Sequence, residues 1–322
     1  MAGADSEKPV VLIADALAPE AEDILRPHVH VRRVAGKRRG ELLSAVHQAD
    51  ALIVRSATRV DREVLDAAPR LKVVGRAGVG VDNIDVDAAT ERGVLVANTP
   101  TANIHSACEH AIALLLAAAR DIPLANASTH RGGWERARFG GVELYGKTVG
   151  VVGFGRVGQL FAERMTAFGT TVIAYDPYPD QDAAARLGVR LVELEELVAE
   201  ADVVSIHVPK TPETAGLFGS RLLSGAKPGQ ILVNAARGGV VDEYALAEAL
   251  RHGPIRAAGI DVFDPEPPEA SPLFGLDNVV LTPHLGASTS EAQLRAGVDV
   301  ARAVLAALRG ERVPGALNAD GC

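Results

Sequence analysis

The stretch Thr148–Asp176, TVGVVGFGRVGQLFAERMTAFGTTVIAYD, limits what this chain can fold into more than any other. A short apolar run (Val149, Val151, Val152) leads into Gly153-Phe154-Gly155-Arg156-Val157-Gly158. Leu160, Phe161, Met165 and Phe168 follow at helical spacing, and Gly169 ends the helix. A second apolar run, Thr171–Tyr175, closes on Asp176. Strand, glycine turn, helix, strand and acid within about 30 residues is the order of a dinucleotide-binding unit. Gly153 permits the tight turn, Gly155 lets backbone N–H groups approach a pyrophosphate, and Gly158 lets the helix pack close to the strand. The helix N-terminus offers unpaired N–H donors and partial positive charge to the phosphates. Asp176 accepts the ribose hydroxyls of the adenosine half and repels a 2′-phosphate. Pro177 and Tyr178 stand where NADP sites often carry an Arg. The expected cofactor is therefore NAD.

At 322 residues the chain is long enough for two domains with substantial cores. Aromatics are only 4%, so those cores must be built from Ala, Val and Leu. The net charge of -8 speaks against non-specific nucleic-acid binding. No apolar signal segment opens the chain, and the longest apolar run, near Ala111–Ala119, is too short to span a bilayer. Two cysteines, Cys108 and Cys322, make neither a disulfide framework nor a zinc cluster. The expectation is a soluble cytoplasmic protein with no membrane, nucleic-acid or metal partner.

Before the glycine turn, strands are expected at 10–14, 29–34, 51–54, 71–74 and 94–97. They alternate with helices at 19–25, 41–48, 62–67 and 86–92. Such alternation implies a parallel sheet with helices on both faces, a small doubly wound domain of its own. Thr99-Pro100 breaks the pattern, and Ile104–Arg120 reads as a long helix with Ala111, Leu114, Leu115 and Ala118 as its apolar stripe. Arg131 to Tyr145 reads as a polar loop. Further strands are expected at 201–207, 230–235, 257–262 and 279–282, and a last helix at 291–308. The expected class is α/β: a Rossmann NAD domain, residues 99–288, inserted into a flavodoxin-like substrate domain, residues 1–98 and 289–322.

Ligands of open α/β sheets bind at the carboxyl ends of strands. There the sequence places Asn234-Ala235-Ala236-Arg237-Gly238-Gly239, then Asp261-Val262-Phe263-Asp264-Pro265-Glu266, then Pro283-His284-Leu285-Gly286. An Arg, a Glu and a His thus sit at three strand ends. A guanidinium binds a carboxylate bidentately and polarises an adjacent carbonyl. A His exchanges a hydroxyl proton near neutral pH, and a Glu beside it raises its pKa and orients the ring. Together Arg237, Glu266 and His284 suit oxidation of a 2-hydroxy acid by hydride transfer. His207 also follows a strand, but it leads into Pro209-Lys210-Thr211-Pro212 and reads as the loop beneath the cofactor.

With these residues in view, the chain resembles the D-isomer-specific 2-hydroxyacid dehydrogenase family over nearly its whole length. The strings that carry the likeness are VRSATRV, VGRAGVGVDNID, GKTVGVVGFGRVGQ, VNAARGGVVDE, GIDVFDPEPP and PHLGAST. The first two and the last are nearest the family's phosphoglycerate branch, which opens the phosphorylated serine pathway by oxidising 3-phosphoglycerate with NAD. By that resemblance Arg237, Glu266 and His284 match the catalytic Arg, Glu and His. Arg55, Ser56, the backbone of Gly78, Val79 and Gly80, and Asn103 match substrate-binding positions. Arg136 matches a basic residue near the substrate, supplied in some members by a neighbouring subunit. On the cofactor side Arg156 and Val157 match the pyrophosphate positions. His207, Pro209 and Thr214 match the adenosine side, and Ala235, Asp261 and Gly286 match the nicotinamide end. A cation pair such as Arg55 with Arg136 also suits a phosphate on physical grounds. The likeness further implies a homodimer, with the long helix from Ile104 at its interface, and an active site in the cleft between domains. Many relatives add a C-terminal regulatory domain that binds serine. A chain stopping at Cys322 is either a naturally short form or one from which that part has been cut. Two other readings stay open. One is a family reductase acting on glyoxylate, hydroxypyruvate or another unphosphorylated acid. The other is a dinucleotide-sensing binding protein of the same fold, like the transcriptional corepressors that keep the same three residues.

Overall fold

A computed structural model describes residues 8–321; the segment before Lys8, and Cys322, lie outside the described residues. The chain divides into two compact units, one of residues 1–103 and 287–322, the other of residues 104–286. In the first unit the elements run β1 (Val10–Ile13), α1 (Pro19–Leu25), β2 (His30–Arg33), α2 (Arg39–Val46), β3 (Ala51–Val54), α3 (Arg62–Asp66), β4 (Val73–Arg76), α4 (Val86–Glu91) and β5 (Leu95–Ala97). The second unit runs α5 (Ile104–Ala119), α6 (Ile122–His130), β6 (Thr148–Val152), α7 (Arg156–Ala167), β7 (Thr171–Tyr175), α8 (Gln181–Leu187), β8 (Arg190–Leu191), α9 (Leu194–Glu200), β9 (Val203–Ile206), α10 (Ser220–Ser224), β10 (Gln230–Asn234), α11 (Glu243–His252), β11 (Ile255–Ile260) and β12 (Val279–Leu281). The chain then re-enters the first unit with α12 (Ser290–Leu308).

The first sheet is parallel, in the order β2-β1-β3-β4-β5. The order reverses between β1 and β3, which makes their carboxyl ends the switch point where such sheets take ligands. β3 is buried along its whole length, as a central parallel strand covered on both faces must be. β2, HVRR, is an exposed edge and carries charge accordingly. Short helices are started by side chains: the carboxylates of Asp61 and Asp85 accept the Val64 and Ala88 N–H groups. One face of the sheet is covered by α2, α3 and α4, the other by α1 and α12. Val300 and Val304 of α12 press so closely on β4 that a Cβ at Gly75 would meet both within 2.8 Å.

The second sheet is also parallel, in the order β12-β11-β10-β9-β6-β7-β8, and reverses between β6 and β9. β9 and β10 are fully buried. α5, α7 and α8 cover one face, and α9, α10 and α11 the other. Several features differ from expectation, among them β8 and its flanking helices α8 and α9, for which the sequence reading has no element. The fourth strand begins at Val73, opposite Ala51, not at Leu71; Leu71 instead turns back, its N–H donating to Ala68 O. Between Arg120 and Arg131, where the sequence reading has no element, α6 intervenes. Asp121 takes a left-handed backbone (φ 52°) that breaks α5, and a proline in the first turn starts α6. Among the described residues no single helix is long and apolar enough to cross a membrane.

Candidate active site

The glycine turn lies at the switch point of the second sheet. Gly153 follows β6 with φ 93°, a backbone that a side chain disfavours. A Cβ on Gly158 would run into the Gly153 carbonyl, so helix and strand approach as closely as backbones allow. Gly155 caps α7 with extended backbone and no side chain on the helix's first N–H groups, and the space around its Cα is open. Asp176, at the end of β7, accepts the Phe154 N–H on Oδ2 and the Tyr178 N–H on Oδ1, each at 2.8 Å. Its carboxylate is thereby fixed beside the turn. Uncapped helix donors, an open cradle and a placed carboxylate together fit a dinucleotide; Arg156 and Val157 form the first turn of α7 behind them.

The loop after β9 closes on itself. The Thr214 hydroxyl donates to Pro209 O at 2.6 Å and accepts the Thr211 N–H at 2.8 Å, so Thr214 shapes this loop. The ring of His207 lies 3.0 Å from the Ser205 hydroxyl and 5.0 Å from the Phe161 ring centroid. Burial pushes its pKa down to about 4, so it is neutral and no acid/base rival to His284.

The catalytic candidates occupy adjacent strand ends: β10, β11 and β12. Buried Asn234 ends β10 and ties the turn that carries Arg237, accepting the Ala236 N–H and donating to Arg237 O at 3.0 Å. The Arg237 guanidinium donates to Ala236 O at 2.7 Å. Ala235 sits in the same turn. After β11, Glu266 Oε1 accepts the Phe263 N–H at 2.9 Å, and Oε2 lies 2.6 Å from Nδ1 of His284. An ionised carboxylate only accepts, so Nδ1 carries the hydrogen and the lone pair of the neutral ring is left on Nε2. The Glu266 hydrogen bond raises the His284 pKa, outweighing burial and the nearby Arg237 charge. Burial would raise Glu266, but the bonds from His284 and the Phe263 amide outweigh it and hold the carboxyl below its usual range. Replacing Glu266 with Gln should therefore lower the His284 midpoint, because a neutral amide no longer stabilises the imidazolium. NMR titration of the labelled ring reads this directly, and an unchanged midpoint would mean that the pair is not formed in solution.

Asp261, expected at the nicotinamide end, is fully buried and gathers donors from its own chain. Oδ1 accepts the Thr282 hydroxyl at 2.6 Å and the Leu285 N–H at 2.7 Å; Oδ2 accepts the Gly286 N–H at 2.9 Å. His110, on α5, brings Nε2 to 3.1 Å from Oδ1 and 3.0 Å from the Thr282 oxygen. Sequence reasoning missed His110 and Thr282, since nothing local marks a His in an apolar helix or a Thr at a strand end. Arg136 lies exposed in a short 3-10 turn, Arg136–Arg138.

In the first unit, Arg55 and Ser56 follow β3 at the switch point. Asp15, just beyond β1, accepts the Arg55 N–H at 2.6 Å, the Thr58 N–H at 3.3 Å and the Thr58 hydroxyl at 2.8 Å. From the other side Asn83 donates to Arg55 O at 2.7 Å and Thr58 O at 2.6 Å. The loop is clamped by its main chain, and among the described residues the Arg55 guanidinium makes only a long contact, 3.5 Å, to Ala16 O. The Gly78-Val79-Gly80 loop after β4 is held similarly: Thr99 N–H donates to Gly78 O at 2.9 Å and Asn98 to Val79 O at 2.6 Å. Asn103 is the last residue of this stretch before α5 begins.

Comparison with known proteins follows the same lines. Residues 112–286 match the family described as D-isomer specific 2-hydroxyacid dehydrogenase, NAD binding domain. The chain is 62% identical over 313 residues to D-3-phosphoglycerate dehydrogenase of Mycobacterium tuberculosis, covering 97% of this chain and 59% of that protein. It is 50% identical over 309 residues to the protein of the same name from Methanocaldococcus jannaschii, covering 96% of this chain and 59% of that one. The chain thus spans about three fifths of the length of these relatives. Among solved structures, the TT0316 protein from Thermus thermophilus superposes with a TM-score of 0.87 at 40% identity, covering 96% of this chain and 99% of that one.

Proposed function

The chain belongs to the D-isomer specific 2-hydroxyacid dehydrogenase family, and on that footing we propose that it oxidises D-3-phosphoglycerate to 3-phosphohydroxypyruvate. NAD, held by the Gly153–Gly158 turn and Asp176, supplies the hydride acceptor when bound. Arg237 pairs with the substrate carboxylate through two parallel N–H bonds and fixes the C2 carbon. His284 takes the C2 hydroxyl proton on Nε2 as the carbonyl forms. Glu266 holds the ring in that tautomer and stabilises the imidazolium. In the reverse direction His284 returns the proton. The observation that carries the reaction class is the 2.6 Å bond between His284 Nδ1 and Glu266, which leaves Nε2 basic. The phosphorylated substrate is supported by the 62% identity to a named phosphoglycerate dehydrogenase and by Arg55 at the switch point of the first sheet. Arg55 and Ser56 take the phosphate, with the Gly78–Gly80 backbone, Asn103 and Arg136 completing the substrate contacts. This reading places the reaction in the cytoplasm, as the first step towards serine. It includes a homodimer, supported by exposed Trp134, Tyr145 and Phe168 on the second unit.

Steady-state assays with 3-phosphoglycerate and NAD, run beside glyoxylate and hydroxypyruvate with NADH, test the proposal. Preference for an unphosphorylated acid would assign the chain to another branch, and no turnover of any would favour a dinucleotide-sensing role. NAD should be used well ahead of NADP, and Asp176→Ala should narrow that gap by removing the charge opposed to the 2′-phosphate. Equal use of the two cofactors by the wild type would refute this role for Asp176.

A further inference from the structure

We propose that His110 is a positioning residue for His284, acting through Thr282 and Asp261; this rests on the reading of His284 as the acid/base. His284 has φ 55°, a left-handed backbone that an L residue adopts only when its surroundings impose it. The surroundings are a single buried carboxylate. Asp261 accepts the Thr282 hydroxyl, the Leu285 N–H and the Gly286 N–H on its side chain, and the His284 N–H on its own carbonyl oxygen at 2.8 Å. Residues 282, 284, 285 and 286 are thereby wrapped around one point, with the His284 side chain directed at Glu266.

His110 supplies the remaining donor. Thr282 has one hydroxyl hydrogen, and at 2.6 Å it goes to Asp261. What Thr282 and Asp261 then present to His110 are lone pairs, 3.0 and 3.1 Å from Nε2. Nε2 therefore carries a hydrogen and donates to both. The helix fixes where that donor sits. His110 lies one turn before Leu114 and shares its face, and Leu114 packs so tightly on β11 that a Cβ at Gly259 would meet it at 2.8 Å. Two residues beyond Gly259 along the same segment is Asp261. A helix packed on β11 thus carries the donor to the hub. The net effect of the donors holds the Asp261 carboxyl below its usual range although burial acts against it. The charged or titratable groups acting on His284 are Glu266, Asp261 and Arg237, and His110, His284 and Glu266 are those around Asp261.

Without the His110 donor the hub loosens, His284 loses its fixed approach to Glu266, and its raised pKa falls. The test compares wild type, His110→Leu and His110→Gln in the full chain. The Gln amide N–H can replace the Nε2 donor. His110→Leu should lower the His284 midpoint, read by NMR of the labelled imidazole, by about half a pH unit or more. It should lower kcat by about 10- to 100-fold, the scale of a slightly misplaced group, with the KM for NAD nearly unchanged. His110→Gln should restore most of both. A loss of kcat with an unmoved midpoint, or a Gln variant no better than Leu, would overturn the proposal. If the Leu variant does not fold, Thr282→Val breaks the same link and must give the same downward shift. The ring titration needs no substrate, so a wild type inactive on every hydroxy acid would defeat the reading above while this link is still decided.

Discussion

Turnover should fall by roughly 10²–10⁴-fold when His284 is replaced by alanine, the range that a positioned acid/base contributes. Neither His207 nor Glu266 is placed to take over. His207 is neutral and held at the end of β9 by Ser205 and Phe161. Removing the ring takes away the bond that holds the Glu266 pKa down, but its Oε1 remains tied to the Phe263 N–H. NADH binding, followed by fluorescence, should survive, because the glycine turn and Asp176 share no hydrogen bond with His284. The pH profile supplies a second check. Oxidation needs the unprotonated ring, and the Glu266 bond raises the His284 pKa. Wild-type kcat/KM should therefore climb with pH through that raised midpoint, and the variant's residual rate should lack that limb. Near-normal turnover at neutral pH would remove His284 from the mechanism.

Arg55→Ala should raise the KM for 3-phosphoglycerate by about 10- to 150-fold. A hydrogen bond to a charged group contributes about 1.5–3 kcal/mol, and about 1.4 kcal/mol corresponds to tenfold in affinity. The clamp makes the substitution clean. Asp15 and Asn83 hold the loop through the Arg55 and Thr58 main chain and the Thr58 hydroxyl, none of which the truncation removes. The KM for NAD should hardly change, and neither should that for a small unphosphorylated acid such as glyoxylate. Equal losses on phosphorylated and unphosphorylated substrates would show that Arg55 serves the fold, and the phosphoglycerate assignment would lose its physical support.

What could be read from the sequence was whatever is written locally. Central parallel strands such as Ala51–Val54 are buried on both faces and so appear as unbroken apolar runs. The glycine turn announces itself because the positive φ at Gly153 and the close approach at Gly158 disfavour any side chain at that spacing. The placement of Arg237, Glu266 and His284 just beyond three strands was legible because the apolar runs before them mark those strands. α6 was not, because IPLANASTH has little amphipathic contrast and its start is set by one left-handed residue, Asp121. The supporting groups were hidden for a different reason. Asp15 meets a loop 40 residues away and His110 meets Thr282 172 residues away, so only the tertiary fold brings them together. Local pattern names the proposed reacting groups, whereas long-range contacts decide how firmly they are held.

The return of α12 to the first sheet has a consequence for the order in which this protein can be made. Val11, Ile13, Ile53 and Val73 share a core with Ala296, Val300, Val304 and Leu305. Beyond α12, Asn318 seals the edge of β5, accepting the Val96 N–H at 2.8 Å and donating to Val94 O at 3.0 Å. On the ribosome residues 8–103 must therefore wait, one sheet face covered by α1 alone and one sheet edge bare, while the whole second unit emerges. Domains generally form as units, earliest-synthesised first; here residues 104–286 can close their own core before residues 8–103 can close theirs. The interval between those two events is when the nascent chain exposes the apolar surface that a chaperone would cover.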